Sequence, residues 1–295
     1  MRTILLTTLA GMVLLAGQLA SPCTTVVTFS GDSPLAANNL DCGNPFPRVW
    51  FVPGSEGRFG RFCFGTDANE NIAEGGMNER GLYIAVNALD EDTGWQTNPD
   101  LPDWEQWEGW FESGVPDGIL AMCSTVDEAL EVFRSYNLFT LNRVKFLLAD
   151  AGGASAIVEW TSDGLTVVPR GDVSHQISTN FVTSSFEPGQ EPCYRYRTAK
   201  ETLTAPDWTT SIASLRSLLS TVHLEFQTPT VLSTICNLET GEIHLYYFHD
   251  FERVRVFDLH TELEQQRHGY LLAELFKPKP YVAKVYEDFR RNAGG

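Results

Sequence analysis

The residue type best placed to do chemistry is a cysteine that opens a strand-like run, Cys23-Thr24-Thr25-Val26-Val27-Thr28-Phe29. Ahead of it lies a stretch with the make-up of a secretion signal. Met1-Arg2 gives a positive start, and Ile4 to Leu15 gives an apolar run too short for a stable membrane span. Removal of everything before Cys23 leaves a thiol and a free α-amine on one residue. An α-amine titrates near pH ~8 and can take the thiol proton, so such a residue is a nucleophile that carries its own base. Cleavage after Ala20 leaves Gln18 where a small residue is preferred, and Pro22 directly before Cys23 argues against a lipidated cysteine. The expectation is a signal peptide and short pro-segment over 1–22, trimmed in two steps. A single domain over 23–295 follows, secreted or periplasmic, with no membrane insertion once the signal is gone.

Attack on an amide carbonyl needs a nucleophile, a proton shuttle and donors aimed at the developing oxyanion. The sequence offers polar residues at the ends or in the middle of apolar runs. Asp41 closes Ala37-Asn38-Asn39-Leu40-Asp41, Asn87 lies inside the apolar strand Leu82–Leu89, and Asn180 closes Ser178-Thr179-Asn180. A buried amide in such a strand needs a hydrogen-bonding reason. A nearby arginine would lower the thiol pKa, and Tyr194-Arg195-Tyr196-Arg197 offers Arg195 and Arg197 as candidates. Each residue also has a plainer reading: a disulfide for Cys23, a strand end for Asp41, a turn cap for Asn180, a solvated helix face for Arg195.

These residues must be positioned by elements, and the strands read as short apolar or alternating runs between turn residues. Thr24–Ser30 and Pro34–Leu40 read as a hairpin, as do Arg61–Thr66 and Ile72–Gly76 across Asp67-Ala68-Asn69-Glu70. Gly76-Met77-Asn78-Glu79-Arg80-Gly81 reads as a turn into Leu82–Leu89, and one helix spans about Asp117 to Tyr136. A second block of strands covers Arg143–Ala149, Ala154–Trp160, Gly164–Pro169 and Val173–Asn180, followed by helices near Glu191–Leu203 and Thr210–His223. Strands Thr230–Leu238, Glu242–His249 and Arg253–Leu259 and a last helix over about Thr261–Phe276 complete the chain. Hairpin blocks separated by helices predict an α+β fold: a four-layer αββα sandwich of two antiparallel sheets flanked by helices.

The composition supports this. The 295 residues are 43% hydrophobic, enough for a large core, and the net charge of −17 argues against nucleic acid and anionic membrane as partners. Six cysteines in an exported chain allow disulfides, with Cys42–Cys63 the first pair to test. No Cys-x-x-Cys or His-x-x-x-His spacing occurs, and His175, His223, His244, His249, His260 and His268 are scattered. Neither a metal nor a cofactor is therefore expected. Trp104, Trp107 and Trp110, close together with Trp95 and Phe111, read as an aromatic cover over an acyl group, or else as core packing or a dimer contact. The acidic residues between them favour a neutral or cationic amine portion. A homo-oligomer is left open.

In order and spacing, Cys23-Thr24-Thr25, Asn39-Leu40-Asp41, the strand carrying Asn87 and Ser178-Thr179-Asn180 resemble the choloylglycine hydrolase and penicillin V acylase family. They are also similar to the related acyltransferases of penicillin precursors. The resemblance covers Cys23 to about Leu259. It implies an N-terminal-nucleophile hydrolase acting on linear, non-peptide N-acyl amides through a thioester acyl-enzyme. Cys23 matches the nucleophile, Asp41 the residue that holds its amine, and Asn87 an oxyanion-hole donor. Asn180 matches a positioning asparagine and Arg195 the arginine beside the thiolate. One departure is plain: Asn38 stands where the hydrolases carry arginine. The rival readings are an acyltransferase that passes the acyl group to an amine, and a secreted binding module with Cys23 in a disulfide.

Overall fold

Thr24-Thr25-Val26-Val27-Thr28 is a run of β-branched residues, stiff at χ1 and suited to a pleated surface, and it forms strand β1 (Thr24–Thr28). The Gly31–Ser33 turn returns the chain into β2 (Leu35–Asp41), antiparallel to β1 with Thr25 opposite Asn38. The structure, a computed structural model, describes residues 23–66, 72–94, 96–109, 114–137, 143–226 and 228–277, and beyond them 280, 282, 284, 285, 287 and 291. The signal segment, Trp95, Trp110 and Phe111 lie outside the described residues.

Two antiparallel sheets carry the fold. The six-stranded sheet runs β10 (His175–Ser178), β1, β2, β11 (Thr230–Asn237), β12 (Glu242–Tyr247), β13 (Asp250–Asp258). The eight-stranded sheet runs β14 (His268–Leu271), β3 (Pro47–Val52), β4 (Arg61–Thr66), β5 (Gly75–Asn78), β6 (Tyr83–Ala88), β7 (Val144–Ala149), β8 (Ser155–Thr161), β9 (Gly164–Pro169). Their inner faces share one core, with Val27, Leu40, Phe51, Phe62 and Leu147 among its members. The outer face of the larger sheet packs on helices α1 (Val115–Met122) and α2 (Val126–Ser135). The outer face of the smaller sheet packs on α3 (Tyr194–Leu203) and α4 (Ile212–Thr221). The four-layer αββα order expected from the sequence is the order found. Among the described residues no helix is long and apolar enough to cross a membrane.

Several details differ from the sequence reading. The single helix over Asp117–Tyr136 is broken in two. Asn78 Nδ2 donates to Leu120 O (2.8 Å) and Cys123 O (2.7 Å), which satisfies the end of α1. Thr125 then caps α2 by accepting from Glu128 N. Pro47–Val52 is a strand that the sequence reading passed over, and it leads with proline, the one strand position where a missing N–H costs least. The helix expected over Thr261–Phe276 is instead α5 (Leu259–Leu263), β14 and α6 (Leu272–Leu275). Gly269 lets β14 close on β3, where an added Cβ would lie 2.7 Å from Val49 O, and His268 stacks on Phe51. Cys42 and Cys63, the first pair to test for a disulfide, are not bridged: Cys42 lies in the inner core and Cys63 in the outer one, where its thiol faces Asp117. All six cysteines are free thiols.

Met77 and Asn78, read as part of a turn, instead continue the strand that holds Gly75 and Gly76, and the lack of a side chain at the two glycines has a steric cause. A Cβ on Gly76 would lie 2.1 Å from Phe62 O on the neighbouring strand and 3.0 Å from Leu120 on α1. Gly76→Ala is therefore expected to destabilise the chain by about 1–3 kcal/mol, the range for overpacking a filled core. Urea denaturation reads this as a lower midpoint at unchanged slope, and an unchanged midpoint would show that β4 and β5 can part without cost.

Candidate active site

The site grows from the place where β1 begins, β2 ends and β10 ends. β1 is an interior strand, with Thr25 opposite Asn38 on one side and Ser178 on the other. Cys23 stands one residue before it and is 3% exposed. On the outer side of this sheet, the first turn of α3 delivers Arg195, buried despite its charge. Its Nη1 donates to Cys23 O (2.6 Å) and Thr24 Oγ1 (2.8 Å), and its Nη2 donates to Asn180 Oδ1 (2.8 Å). Nη1 also lies 3.7 Å from Asp41 Oδ2. Arg197, the alternative, is exposed and donates to Glu191 O, so Arg195 is the arginine that meets Cys23.

Asp41 is fully buried at the end of β2, where Thr230 Oγ1 donates to its Oδ1. Its Oδ2 accepts no hydrogen bond from any described residue. Burial lifts the carboxyl to about 8, against the pull of Thr230 and Arg195 in the other direction. Burial likewise pushes the Cys23 thiol well above its ordinary range. Asp41 and Glu74 add to this by charge, and Arg195 and a backbone hydrogen bond from Asp41 oppose it. In the intact chain the thiol is thus protonated at neutral pH.

On the inner side, a short relay reaches the other sheet. Asn38 Nδ2 donates to Thr25 Oγ1 (2.9 Å), and Thr25 Oγ1 donates to Asn87 Oδ1 (3.3 Å). With its carbonyl oxygen engaged, the Asn87 amide is oriented, and its buried Nδ2 has no hydrogen-bond partner among the described residues. Asn180 joins the layers: its Nδ2 donates to Ala88 O (2.7 Å), its own carbonyl accepts from Asp90 N (3.2 Å), and its Oδ1 takes Arg195. Cys23, Asp41, Asn180 and Arg195 therefore meet directly, and Asn87 joins through Thr25.

The tryptophans do not join them. Trp104 and Trp107 pack on each other with ring centroids 4.6 Å apart, in the outer core behind the eight-stranded sheet. Gly118 of α1 makes room for the Trp107 ring, from which an added Cβ would stand 2.8 Å. The aromatic-cover reading, and with it the argument about the charge of the amine portion, is corrected for these two residues: they fasten a helix to a sheet.

Two residues the sequence reading missed are Lys145 and Glu159. Lys145 lies opposite Asn87 in the β6–β7 pairing and is fully buried, and its Nζ donates to Phe181 O and Thr183 Oγ1, both at 2.6 Å. Glu159 accepts from Thr183 N (2.8 Å) and Ser184 N (2.7 Å). Burial lowers the Lys145 ammonium to about 8, with Glu159 opposing. Together they fasten the segment just after Asn180. The available signal was a charged residue inside each of two apolar strands, Val144-Lys145-Phe146-Leu147 and Ile157-Val158-Glu159-Trp160.

No family model matches this sequence, and no curated protein matches it. Solved structures do match in fold. A variant of conjugated bile acid hydrolase from Clostridium perfringens aligns with a TM-score of 0.67 at 16% identity, over 84% of this chain and 97% of that one. Penicillin V acylase from Agrobacterium tumefaciens aligns with a TM-score of 0.60 at 17% identity, over 83% and 89%. The Caenorhabditis elegans ortholog of N-acylethanolamine-hydrolyzing acid amidase aligns with a TM-score of 0.52 at 16% identity, over 80% and 100%. The chain shares the fold of these proteins.

The raised Asp41 pKa has a consequence for stability. The folded carboxyl keeps its proton up to about pH 8, whereas in the unfolded chain it loses it near pH ~4. The stability it contributes is full below the lower value and is lost as pH rises through the upper one. Between pH 5 and pH 9 the parent chain is expected to lose more stability than Asp41→Asn, as read by urea denaturation at the two pH values. Parallel losses would show that this carboxyl ionises normally.

Proposed function

We propose that this chain is an exported cysteine amidase, in which removal of residues 1–22 frees Cys23 to cleave carbon–nitrogen bonds of small N-acyl amides. One observation carries the reading. Near Cys23 lie two buried polar atoms with no hydrogen-bond partner among the described residues, Asp41 Oδ2 and Asn87 Nδ2. Unpaired buried polar atoms are costly and mark places where something else is meant to bind. A freed α-amino group on Cys23 supplies the hydrogen-bond partner that Asp41 Oδ2 lacks, and a tetrahedral oxyanion supplies the acceptor Asn87 lacks. The proteins that share the fold are named for conjugated bile acid, penicillin V and N-acylethanolamine, which supports the amide class without choosing within it.

The chemistry follows from these placements. The α-amine takes the proton of Sγ, and the thiolate attacks the amide carbonyl. Negative charge gathers on the former carbonyl oxygen and is met by Asn87 Nδ2, already oriented by Thr25 and Asn38. The intermediate collapses as the α-ammonium returns its proton to the departing amine, leaving a thioester on Cys23. Water, deprotonated by the same α-amine, then attacks the thioester, and the free acid leaves as Sγ regains a proton. Arg195 holds Cys23 by its carbonyl while this happens and favours the thiolate by charge. Asn38, at the place where the resemblance puts an arginine, replaces a cation beside the thiolate by a neutral end to the relay.

The test is N-terminal sequencing of the exported protein together with turnover of a panel of N-acyl amides. The expected chain begins at Cys23 and hydrolyses at least one member, and Cys23→Ala does not. Asn87→Ala lowers kcat about 10²–10³-fold, as loss of one oxyanion donor does. Thr25→Val lowers kcat by less and leaves KM nearly unchanged, because it frees the amide to rotate without removing it. Hydrolysis by a chain that still carries residues ahead of Cys23, or full activity in Asn87→Ala, overturns the reading.

A further inference from the structure

The six histidines scatter in sequence, but the fold brings two of them together at one end of the six-stranded sheet. His223 follows α4 directly, and His249 lies in the tight turn between β12 and β13. Their rings stack with centroids 4.9 Å apart and planes 22° from parallel. Glu225 completes a group of three, with one ligand atom from each residue lying within 4.8 Å of the others.

Three features make this more than proximity. The first is tautomer. His223 Nδ1 lies 2.5 Å from Ser220 O, and a carbonyl only accepts, so the proton sits on Nδ1. Nε2 is thereby turned toward Glu225 Oε1 at 3.3 Å. A backbone carbonyl on one ring nitrogen is how metal-binding imidazoles are oriented. The second is backbone. Phe248 and His249 have φ of +48° and +45°, the left-handed values of a two-residue hairpin turn that usually takes Asn-Gly. Such conformations in bulky residues concentrate at ligand clamps, and here the strained turn is what aims His249 at His223. The third is the donor set. Two imidazoles and a carboxylate suit borderline divalent ions, zinc above all, with cobalt, nickel and copper as substitutes, and leave a place for water. The net charge of −17 favours cation capture.

We propose that His223, Glu225 and His249 form a binding site for a divalent transition-metal ion of the zinc class. The bound ion clips the 222–230 segment to the β12–β13 turn. Coordination turns the His249 ring out of its stack on His223, so that both in-plane lone pairs meet one ion, and with a change of rotamer at the exposed Glu225 it closes the 4.8 Å spread to the ~3.3 Å expected between ligands of a tetrahedral ion. The clip lies one step behind Asp41. Leu224 N donates to Thr230 Oγ1, Thr230 N donates to Leu224 O, both at 2.9 Å, and Thr230 Oγ1 donates to Asp41. On the other side Phe248 N donates to Val231 O (3.1 Å). Metal occupancy therefore stiffens the residue that holds the Asp41 carboxyl, a positioning role that does not depend on the proposed amidase reading.

The experiment uses the untagged full chain, stripped of metal with chelator and titrated with zinc and with cobalt(II). Calorimetry should show one saturable site per chain. Cobalt should give d–d absorption without the thiolate charge-transfer band that cysteine ligation produces. His223→Gln and His249→Asn should each weaken zinc binding by more than ~10-fold, whereas His244→Gln, which sits in a separate pair with Glu242, should not. Asparagine tolerates the left-handed turn, so His249→Asn keeps or raises the metal-free Tm while abolishing the rise that zinc produces. Amide exchange at Leu224 should slow on zinc addition in the parent chain only. No saturable uptake, a thiolate band, or a zinc-induced Tm rise that survives His249→Asn overturns the site. Binding that leaves Leu224 exchange unchanged overturns the link to Thr230.

Discussion

The buried guanidinium of Arg195 is the constraint on which the rest of the site depends. A charge withdrawn from water is tolerated only where fixed acceptors surround it. Here four acceptors come from three separate pieces of chain: the carbonyl of Cys23 and the hydroxyl of Thr24 beside it, the amide oxygen of Asn180 and, farther off, the carboxyl of Asp41. None of the four can move without leaving the cation short of a partner. The ends of three strands and the first turn of a helix are held in register by one side chain whose planar fork suits several acceptors at once.

Around that cation the sandwich changes character. Along most of the inter-sheet layer the contacts are apolar, with Phe51, Phe62 and Tyr83 among the large buried side chains. At the Cys23 end the same inward positions carry Thr25, Asn38, Asn87, Lys145 and Glu159, all buried. Apolar packing fixes the distance between the sheets, and polar groups at one end use that fixed distance to reach across it. The Thr25–Asn87 and Asn180–Ala88 hydrogen bonds are such bridges, and both need the two sheets at one separation.

The strands that positioned the site were legible because they alternate or run apolar between turn residues, so β1, β2, β6, β10 and β11 could be read to within a residue or two. Asn87 stood out as an amide inside an apolar strand, whereas Asp41 and Asn180, which close strands as ordinary end residues do, were singled out by the family resemblance. What could not be read depended on partners distant in sequence. β14 is too short to announce itself and exists because β3 offers an edge. The break between α1 and α2 depends on Asn78 in a strand of the sheet beneath. The tryptophans misled because a cluster of aromatic residues looks the same in sequence whether it faces a cleft or a helix, and only Gly118 hinted at the second.

The place of β1 inside its sheet bears on the proposed removal of residues 1–22, because it fixes which residue can occupy the start of the strand. An edge strand can slide along its single neighbour. β1 is laddered on both sides, with Val26 facing Ile177 across one seam and Ala37 across the other. A slip of one position would turn every side chain to the opposite face. A chain cut one residue early or late cannot shift to compensate, and Thr24 cannot drift into the seat of Cys23. On the proposed amidase reading, the ladder therefore acts as a proofreader, since it offers the seat of Cys23 to one residue alone.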